Sequence, residues 1–390
     1  DFLNFFNRRA RRILPMLLFI MIFCLPFAWN KFIPENLKEF SESSLYALVS
    51  LSNFFFYFET INYYSSQAFL KPLLHTWSLS VEIQFYIFFS ILLFFLYKFF
   101  SKSILIIILI FSFLSIYLSE IMSSQNANLN FYLSLTRSWE FLFGSILALV
   151  NYKYNFNKYS NLTFPSLLGF FLIAFSIFFF NSNTPHPGYL TIIPISGTGL
   201  VILFSSNKNI TGKILSTKPL VFLGLISYSI YLWHYPVFSF FVDDIYNYSN
   251  FKKLFLIFVV FFLSILSYFF IEKTFRSKNK ISNFNSIILL TISIVFIVAA
   301  NFFIIKTSGA KFYELKDLSK LKYNKNNKKT IALIGDSHAK QLYYGLNVLS
   351  DGKVEDMTGP GCIPFRNIDR YDFRYKPGNC AKHTNKYLNK

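Results

Sequence analysis

Apolar runs recur along most of the chain, at about 13–29, 44–58, 79–97, 104–119, 131–150, 165–180, 189–205, 219–241, 253–271 and 286–306. Each approaches the roughly 20 residues that carry a helix across a bilayer, except the short run at 44–58. Most are separated by polar links of 6 to 14 residues. In lipid only helices or closed barrels satisfy their own backbone. The pattern therefore predicts a polytopic α-helical membrane protein with about nine to ten hydrophobic helices. The first run follows a basic stretch, as a signal peptide would. It lacks a small-residue cleavage site at Leu25-Pro26-Phe27-Ala28-Trp29, and nine runs follow it, so it is read as a membrane helix. Near residue 307 the pattern ends. The expected organisation is a membrane domain over 1–306, a basic Asn-rich linker over 307–329, and the start of a soluble α/β domain over 330–390. No internal repeat of fixed period is present.

Composition agrees with that division. Hydrophobic residues make up 54% of the 390, and charged residues 15%, against about 25% in ordinary soluble domains. Three Cys exclude a disulfide-dense mini-domain. The net charge of +19 raises nucleic acid as a partner, but no basic stripe with stacking aromatics occurs in the tail. The charges instead report topology, because Lys and Arg concentrate in cytoplasmic links. If all ten runs cross, 7 such residues fall inside and 13 outside. If 44–58 dips in or lies at the interface, the count becomes 15 inside and 5 outside. The second arrangement is expected: nine crossings, with the soluble tail outside the cytoplasm. It also puts His75, His186, His234, His338 and His383 at or near the outer side, where proton-transfer chemistry is then expected.

Five constellations can carry chemistry. Arg8, Arg9, Arg11 and Arg12 put four guanidiniums within five residues at a helix entrance. They suit a phosphate-bearing cofactor, or serve simply as positive-inside anchors. In the stretch from His75 to Tyr86, Glu82 lies about one turn inside an apolar helix, where an ionisable group is costly. His75 and Ser78 share its face if the helix reaches back that far; the alternative is a snorkelling interface group. Arg137 and Glu140, three apart within an apolar band, form either a structural pair or a substrate-binding one. Ser227 to Pro236, with Tyr231 and His234, lines an outer vestibule or forms an aromatic belt with a helix break. In the tail, an apolar strand runs into Gly335-Asp336-Ser337. Ser337 is a candidate nucleophile at a strand-to-helix turn, with an ordinary helix cap as the alternative. Cys362 and Cys380 form a candidate disulfide in an oxidising compartment, and Cys24 is expected to pack in the first helix. No Cys/His set has metal-ligand spacing, and neither a Walker A nor a Rossmann glycine pattern occurs.

With these residues in place, the chain resembles the acyltransferase-3 family of bacterial membrane O-acyltransferases, in the subgroup with a fused extracytoplasmic SGNH domain. The resemblance rests on RRARRILP at 8–15, LLHTWSLSVEIQFY at 73–86, RSWEFLFG at 137–144, ISYSIYLWHYPV at 226–237, IEKTFR at 271–276 and IGDSHA at 334–339, in family order over nearly the whole chain. It implies transfer of an acyl group, usually acetyl, from cytoplasmic acyl-CoA to an envelope glycan such as lipopolysaccharide O-antigen. It implies a multi-pass protein of the bacterial inner membrane with a periplasmic C-terminal domain. On this reading Arg8, Arg9, Arg11 and Arg12 meet the phosphates of acetyl-CoA, His75 and Glu82 belong to the outer reaction chamber, and Ser337 is the SGNH nucleophile. No tightly bound cofactor is expected.

The sequence departs from the family pattern in several places. Two further helices normally precede the basic motif, the first with a catalytic His. Ile83 stands where a second Glu is usual, and Lys273-Thr274 where an Arg-Pro-like pair is common. Only 53 residues follow Ser337, so the later SGNH blocks fall outside this sequence. A transporter or flippase for a glycan or lipid-linked intermediate is the alternative, since intramembrane Glu82, Arg137 and Glu140 fit that class too. A membrane-tethered esterase needs only one helix, so polar groups in several helices argue against it.

Overall fold

The computed structural model describes residues 2–61, 71–155, 162–181, 184–241, 249–277, 279–307, 331–335, 342, 346 and 354–358. The chain divides into two compact units, Asp1–Gly309 and Ala310–Lys390.

The first unit is helical. In chain order its helices are α1 (Phe2–Lys31), α2 (Pro34–Leu48), α3 (Ser52–Ile61), α4 (Thr76–Phe99), α5 (Ile104–Gln125), α6 (Ala127–Tyr132), α7 (Ser134–Tyr154), α8 (Thr163–Phe179), α9 (Ile192–Phe204), α10 (Ile210–Leu215), α11 (Lys218–Phe241), α12 (Asn250–Ser267), α13 (Lys273–Arg276) and α14 (Asn283–Lys306). Tyr268–Glu272, a π-helical turn, joins α12 to α13. Among the described residues, six helical stretches are long and apolar enough to cross a membrane: Asn4–Lys31, Thr76–Phe99, Ser101–Gln125, Lys218–Phe241, Asn250–Arg276 and Asn283–Lys306. Thr163–Phe179 and Tyr189–Phe204 are shorter apolar helices. Large apolar side chains such as Phe94, Phe113, Phe171, Phe258 and Ile292 are exposed on the outward faces. In water such a surface is a liability; in lipid it is the expected solvent-facing side. The first unit is that of a multi-pass helical membrane protein.

The core is built around α1. Met16, Leu17, Ile20, Met21 and Cys24 of α1 are buried against Leu37 and Phe40 of α2, Leu79 of α4, Leu232 and Trp233 of α11, Val260 of α12 and Ile297 of α14. Helix directions follow from side-chain contacts. Tyr228 of α11 donates to the Ile13 carbonyl near the start of α1, and Lys31 at its end reaches the Phe240 carbonyl. These two helices therefore run parallel. α4 runs against them, since Tyr86 lies near Arg9 while His75, just before α4, lies near Tyr231. The bundle thus has an arginine end and a histidine end. α8 and α9 approach closely through Gly169 and Gly197. A Cβ at Gly169 would lie 2.6 Å from the Gly197 carbonyl oxygen, the small-residue contact typical of membrane helix pairs.

The run expected at 44–58 is two helices rather than one. Ser50, at φ 58°, breaks it. α2 descends from the histidine end, and α3 returns to it. Lys71 closes the open side of this hairpin, pairing with Glu39 of α2 and, at 3.2 Å, with Glu59 of α3. The tip docks on α4: Gln84 donates to the Ser50 carbonyl at 2.7 Å and to Asn53 Oδ1 at 2.9 Å. Ser52 bonds Ser80 at 2.8 Å and accepts from Thr76 at 3.1 Å.

In the second unit two strands, β1 (Ile331–Gly335) and β2 (Val354–Thr358), pair in parallel with Ile331 opposite Val354 and Gly335 opposite Thr358. Ser337, Cys362 and Cys380 lie outside the described residues.

Candidate functional site

The basic motif occupies nearly one and a half turns of α1. At about 100° per residue, Arg9 and Arg11 stand about 160° apart around the helix, while Arg8 and Arg12 lie between them. The four guanidiniums therefore do different things. Arg9 turns toward α4 and lies over the Tyr86 ring, 4.6 Å from its centroid. Arg11 turns the other way and is buried. Its Nε donates to the Phe275 carbonyl at 2.8 Å, and its two terminal nitrogens to Asn283 Oδ1 at 2.9 Å and to the Ile281 and Ser277 carbonyls at 2.7 and 3.3 Å. Arg11 is thus a clamp on the α13–α14 link. Four of its five donors are thereby committed to the chain, so although Arg11 also lines the basic cavity it has little capacity left for the expected role of phosphate ligand. Arg8 and Arg12 make no hydrogen bond or ion pair among the described residues. They line a cavity of about 380 Å³ with Phe5, Asn7, Arg9, Arg11 and Arg276. A cavity with this much positive charge attracts anions.

α4 carries two polar stripes. Thr76, Ser80 and Gln84 follow at i, i+4 and i+8 and hold the hairpin tip. Ser78, Glu82 and Tyr86 have the same spacing, displaced by about 200° around the helix, and face α1 and α11. Tyr86 donates to Glu82 Oε1. Glu82 is near enough to Tyr228 and Tyr231 to interact electrostatically. Ser78 bonds the Tyr231 hydroxyl, which also reaches the His75 carbonyl at 2.5 Å. Side chains thus follow one another from Arg9 to Tyr231 over about 16 Å of helix axis.

His75 terminates the series. It is 4% exposed, and its ring packs against Tyr231, His234 and Tyr235 with centroids 5.4, 5.5 and 5.7 Å away. His234 is held by a 2.6 Å contact from Nδ1 to the Tyr231 carbonyl. Neither His75 nitrogen has a hydrogen-bond partner of good geometry among the described residues, although the Pro72 carbonyl lies nearby. An unpartnered buried imidazole costs free energy and marks a place where a ligand group can supply the partner. His75, Tyr231 and His234 are therefore brought together. His75 and Glu82 share a face, as their spacing implies, but Ser78 and Tyr231 stand between them.

Arg137 and Glu140 form a different cluster. Arg137 pairs with Glu140 at 3.5 Å, donates to the Phe131 carbonyl at 2.8 Å and meets His186 Nε2 at 3.1 Å. Its guanidinium lies over the rings of Trp77 and Phe131. Burial first, and then the Arg137 charge, push the His186 imidazole down to about 4, so at neutral pH it is an uncharged acceptor. Each of the three Arg137 guanidinium nitrogens therefore has one partner within the chain itself. Glu140 leaves Oε1 without a hydrogen bond.

Two residues of the 271–276 stretch, Glu272 and Arg276, join the basic end. Glu272, 1% exposed in the π-turn, accepts from Ser229 at 3.1 Å and pairs with Arg276 at 3.1 Å. An acidic residue at the end of an apolar run was the available signal. Among the described residues no group of three or more His, Cys, Asp or Glu could hold a metal ion.

A multi-pass helical protein with a basic cavity at one end, an unpartnered imidazole at the other and polar side chains between them defines a class that handles polar groups inside the membrane. The comparisons narrow it. The acyltransferase domain family matches residues 1–273, and the SGNH domain family, fused to such domains, matches 309–390. The chain belongs to the acyltransferase-3 family, in its form with a fused SGNH domain. It is 29% identical over 293 residues to the O-acetyltransferase OatA of Staphylococcus aureus, covering 71% of this chain and 48% of that protein. It is 31% identical over 297 residues to YrhL of Bacillus subtilis, covering 71% and 46%. It is 28% identical over 298 residues to the peptidoglycan O-acetyltransferase OatA of Listeria monocytogenes, covering 72% and 47%. The chain spans about half the length of these relatives. No solved structure matches it.

Proposed function

We propose that this protein is a membrane O-acyltransferase. It takes an acyl group, acetyl in the first instance, from acyl-CoA at the arginine end and passes it to a hydroxyl of an envelope glycan at the histidine end. The observation that supports this best is the continuity of polar side chains between the two ends. A single-sided enzyme has no need of a half-buried carboxylate and three hydroxyl-bearing residues along α4 and α11. In the proposed reaction the thioester C–S bond breaks and an ester C–O bond forms. The acceptor proton leaves, and coenzyme A departs as the thiol.

Each residue's role follows from its surroundings. Arg8, Arg9 and Arg12 hold the donor's phosphates by charge-assisted hydrogen bonds. Glu82, oriented by Tyr86, is the proton-accepting group in the interior. His75 has a free nitrogen for an incoming hydroxyl and serves as a general base there. Tyr231 and His234 line its pocket, and Glu140 offers an unused carboxylate oxygen near α4. Ser337 is the SGNH residue that receives the acyl group as an ester or positions the acceptor. The Lys and Arg distribution supports an arginine end on the cytoplasmic side of a bacterial inner membrane. With α2–α3 entering and returning, nine helices cross, and the tail, an SGNH α/β domain, stands on the outer side.

The acceptor we favour is peptidoglycan rather than lipopolysaccharide O-antigen, because YrhL and the Listeria relative are both named for peptidoglycan. The test measures base-labile acetate in both polymers. It compares a strain lacking the gene with strains restored by native protein or by Glu82→Ala at equal membrane levels. Acetate should vanish from peptidoglycan on deletion and return only with native Glu82. Peptidoglycan acetate unaffected by deletion, in a strain without a second such gene, would refute the proposed acceptor. Loss of acetate from O-antigen alone would reassign it.

A further inference from the structure

We propose that Arg276 is a ligand of the anion that enters the basic cavity, and that Glu272 is the counterion it leaves when the anion arrives. The inference rests on the proposed function only for the name of the anion, the phosphate-bearing head of an acyl donor.

Arg276, on α13, lines the same cavity as Arg8, Arg9 and Arg12 of α1. Its side chain is 40% exposed there, and its described ion pair uses one terminal nitrogen toward Glu272 Oε1. A guanidinium has five donors in a planar fork, so Arg276 has capacity that Arg11 lacks. Its backbone is fixed while its side chain stays accessible, because Arg11 grips the Phe275 and Ser277 carbonyls on either side of it. The sequence motif therefore supplies three anion ligands rather than four, and the fold replaces Arg11 with Arg276.

Glu272 is placed to give Arg276 up. Its other oxygen is held by Ser229 at 3.1 Å, and Arg12 is close enough to contribute a second positive charge. The carboxylate therefore stays compensated when Arg276 swings to a phosphate. In the empty cavity Glu272 competes with the ligand for Arg276. It weakens binding and favours release of the spent carrier.

The experiment is a binding titration of the detergent-solubilised intact protein with coenzyme A and, separately, with inorganic pyrophosphate. Variants are Arg276→Gln, Arg276→Lys, Glu272→Gln and, as a reference for the cavity, Arg12→Gln. Thermal melting of each variant is recorded alongside. Loss of one charge-assisted contact predicts that Arg276→Gln binds coenzyme A about tenfold or more weakly. The gap should narrow at high salt, and Arg276→Lys should recover part of it. Glu272→Gln, if it melts like native protein, should bind several-fold more tightly. Native affinity in Arg276→Gln, with affinity lost in Arg12→Gln, overturns the proposal. So does weakened binding in a well-folded Glu272→Gln. If Glu272→Gln melts early, Arg276→Gln alone decides. Binding that follows these expectations in a protein without acyl transfer would overturn the proposed function and leave this inference standing.

Discussion

Arg11→Gln separates a clamp from a ligand. In the native protein Arg11 is 4% exposed and makes three part-buried hydrogen bonds of 2.7 to 2.9 Å to Phe275, Ile281 and Asn283. Glutamine is too short to reach the same acceptors. Two carbonyls and one side-chain amide oxygen then lose a charged donor. Hydrogen bonds to charged groups contribute about 1.5–3 kcal/mol each, and these three share one guanidinium, so they do not add. Leaving such neutral acceptors without a donor costs about 1–3 kcal/mol, and that is the expected loss here. On the scaling of domains of 150–250 residues this lowers the melting temperature by roughly 2–12 °C. Arg8→Gln is the control, because Arg8 makes no bond to the described chain. Its effect on stability should stay within about 0.5 kcal/mol, while coenzyme A binding falls. The assay is tryptophan-fluorescence melting of both variants in detergent, with a binding titration at low temperature. An Arg11→Gln protein that melts with the native one, and loses affinity as Arg8→Gln does, would refute the clamp and restore Arg11 to the ligand set.

Lys71→Met should leave Glu39 and Glu59 facing each other without their shared cation and loosen the α2–α3 hairpin. Faster hydrogen exchange over 34–61, largely reversed in Lys71→Arg, is the expected readout. Gly169→Ala puts a Cβ 2.6 Å from the Gly197 carbonyl oxygen, so α8 and α9 must separate. The cost should fall in the range of about 1–3 kcal/mol for overpacking, read as a lowered melting temperature. His186 titrates near 4 in the folded protein and at about 6.5 when unfolded. Its folded pKa is depressed, so its contribution is complete above the unfolded value and is lost as pH falls toward the folded one. Melting should therefore drop between about pH 6.5 and pH 4, and His186→Gln should flatten that slope; equal slopes would contradict the assignment.

The membrane helices were largely legible in the sequence, because a 20-residue apolar run has few alternatives in lipid. The run at 44–58 misleads for a local reason. Leu45 to Phe58 is apolar almost throughout, yet Ser50 adopts a left-handed conformation whose carbonyl is capped by Gln84, 34 residues away. Nothing within the run announces that partner; the bias of Lys and Arg across the links was the only hint. His75, Tyr231 and His234 were visible one by one as polar residues in apolar surroundings. Their meeting depends on α4 running against α11, which no local pattern encodes. The Arg137 and Glu140 pairing was legible from its spacing of three. The third partner, His186, was not, because it comes from a separate link 49 residues on.

The two motifs that carry the site were readable further than their composition suggests, because helical periodicity divides them. Four arginines in five residues look like one anion site, but successive guanidiniums cannot all face one ligand. Residues two apart point to nearly opposite sides, so Arg9 and Arg11 had to meet different neighbours. They do, with Tyr86 on one side and the α13–α14 link on the other. The same arithmetic applies to the stretch from Thr76 to Tyr86. Its polar residues fall into one stripe of Thr76, Ser80 and Gln84 and another of Ser78, Glu82 and Tyr86. Only the second faces the arginines and Tyr231. The first is spent on docking the hairpin, which places a polar, hydrogen-bonded tip inside a region where an unsatisfied backbone group would cost several kcal/mol. One helix thus serves as scaffold on one side and as site on the other. The hairpin matters to the proposed chemistry because its docking bonds fix the rotation of α4 about its own axis, and so the direction in which Glu82 points.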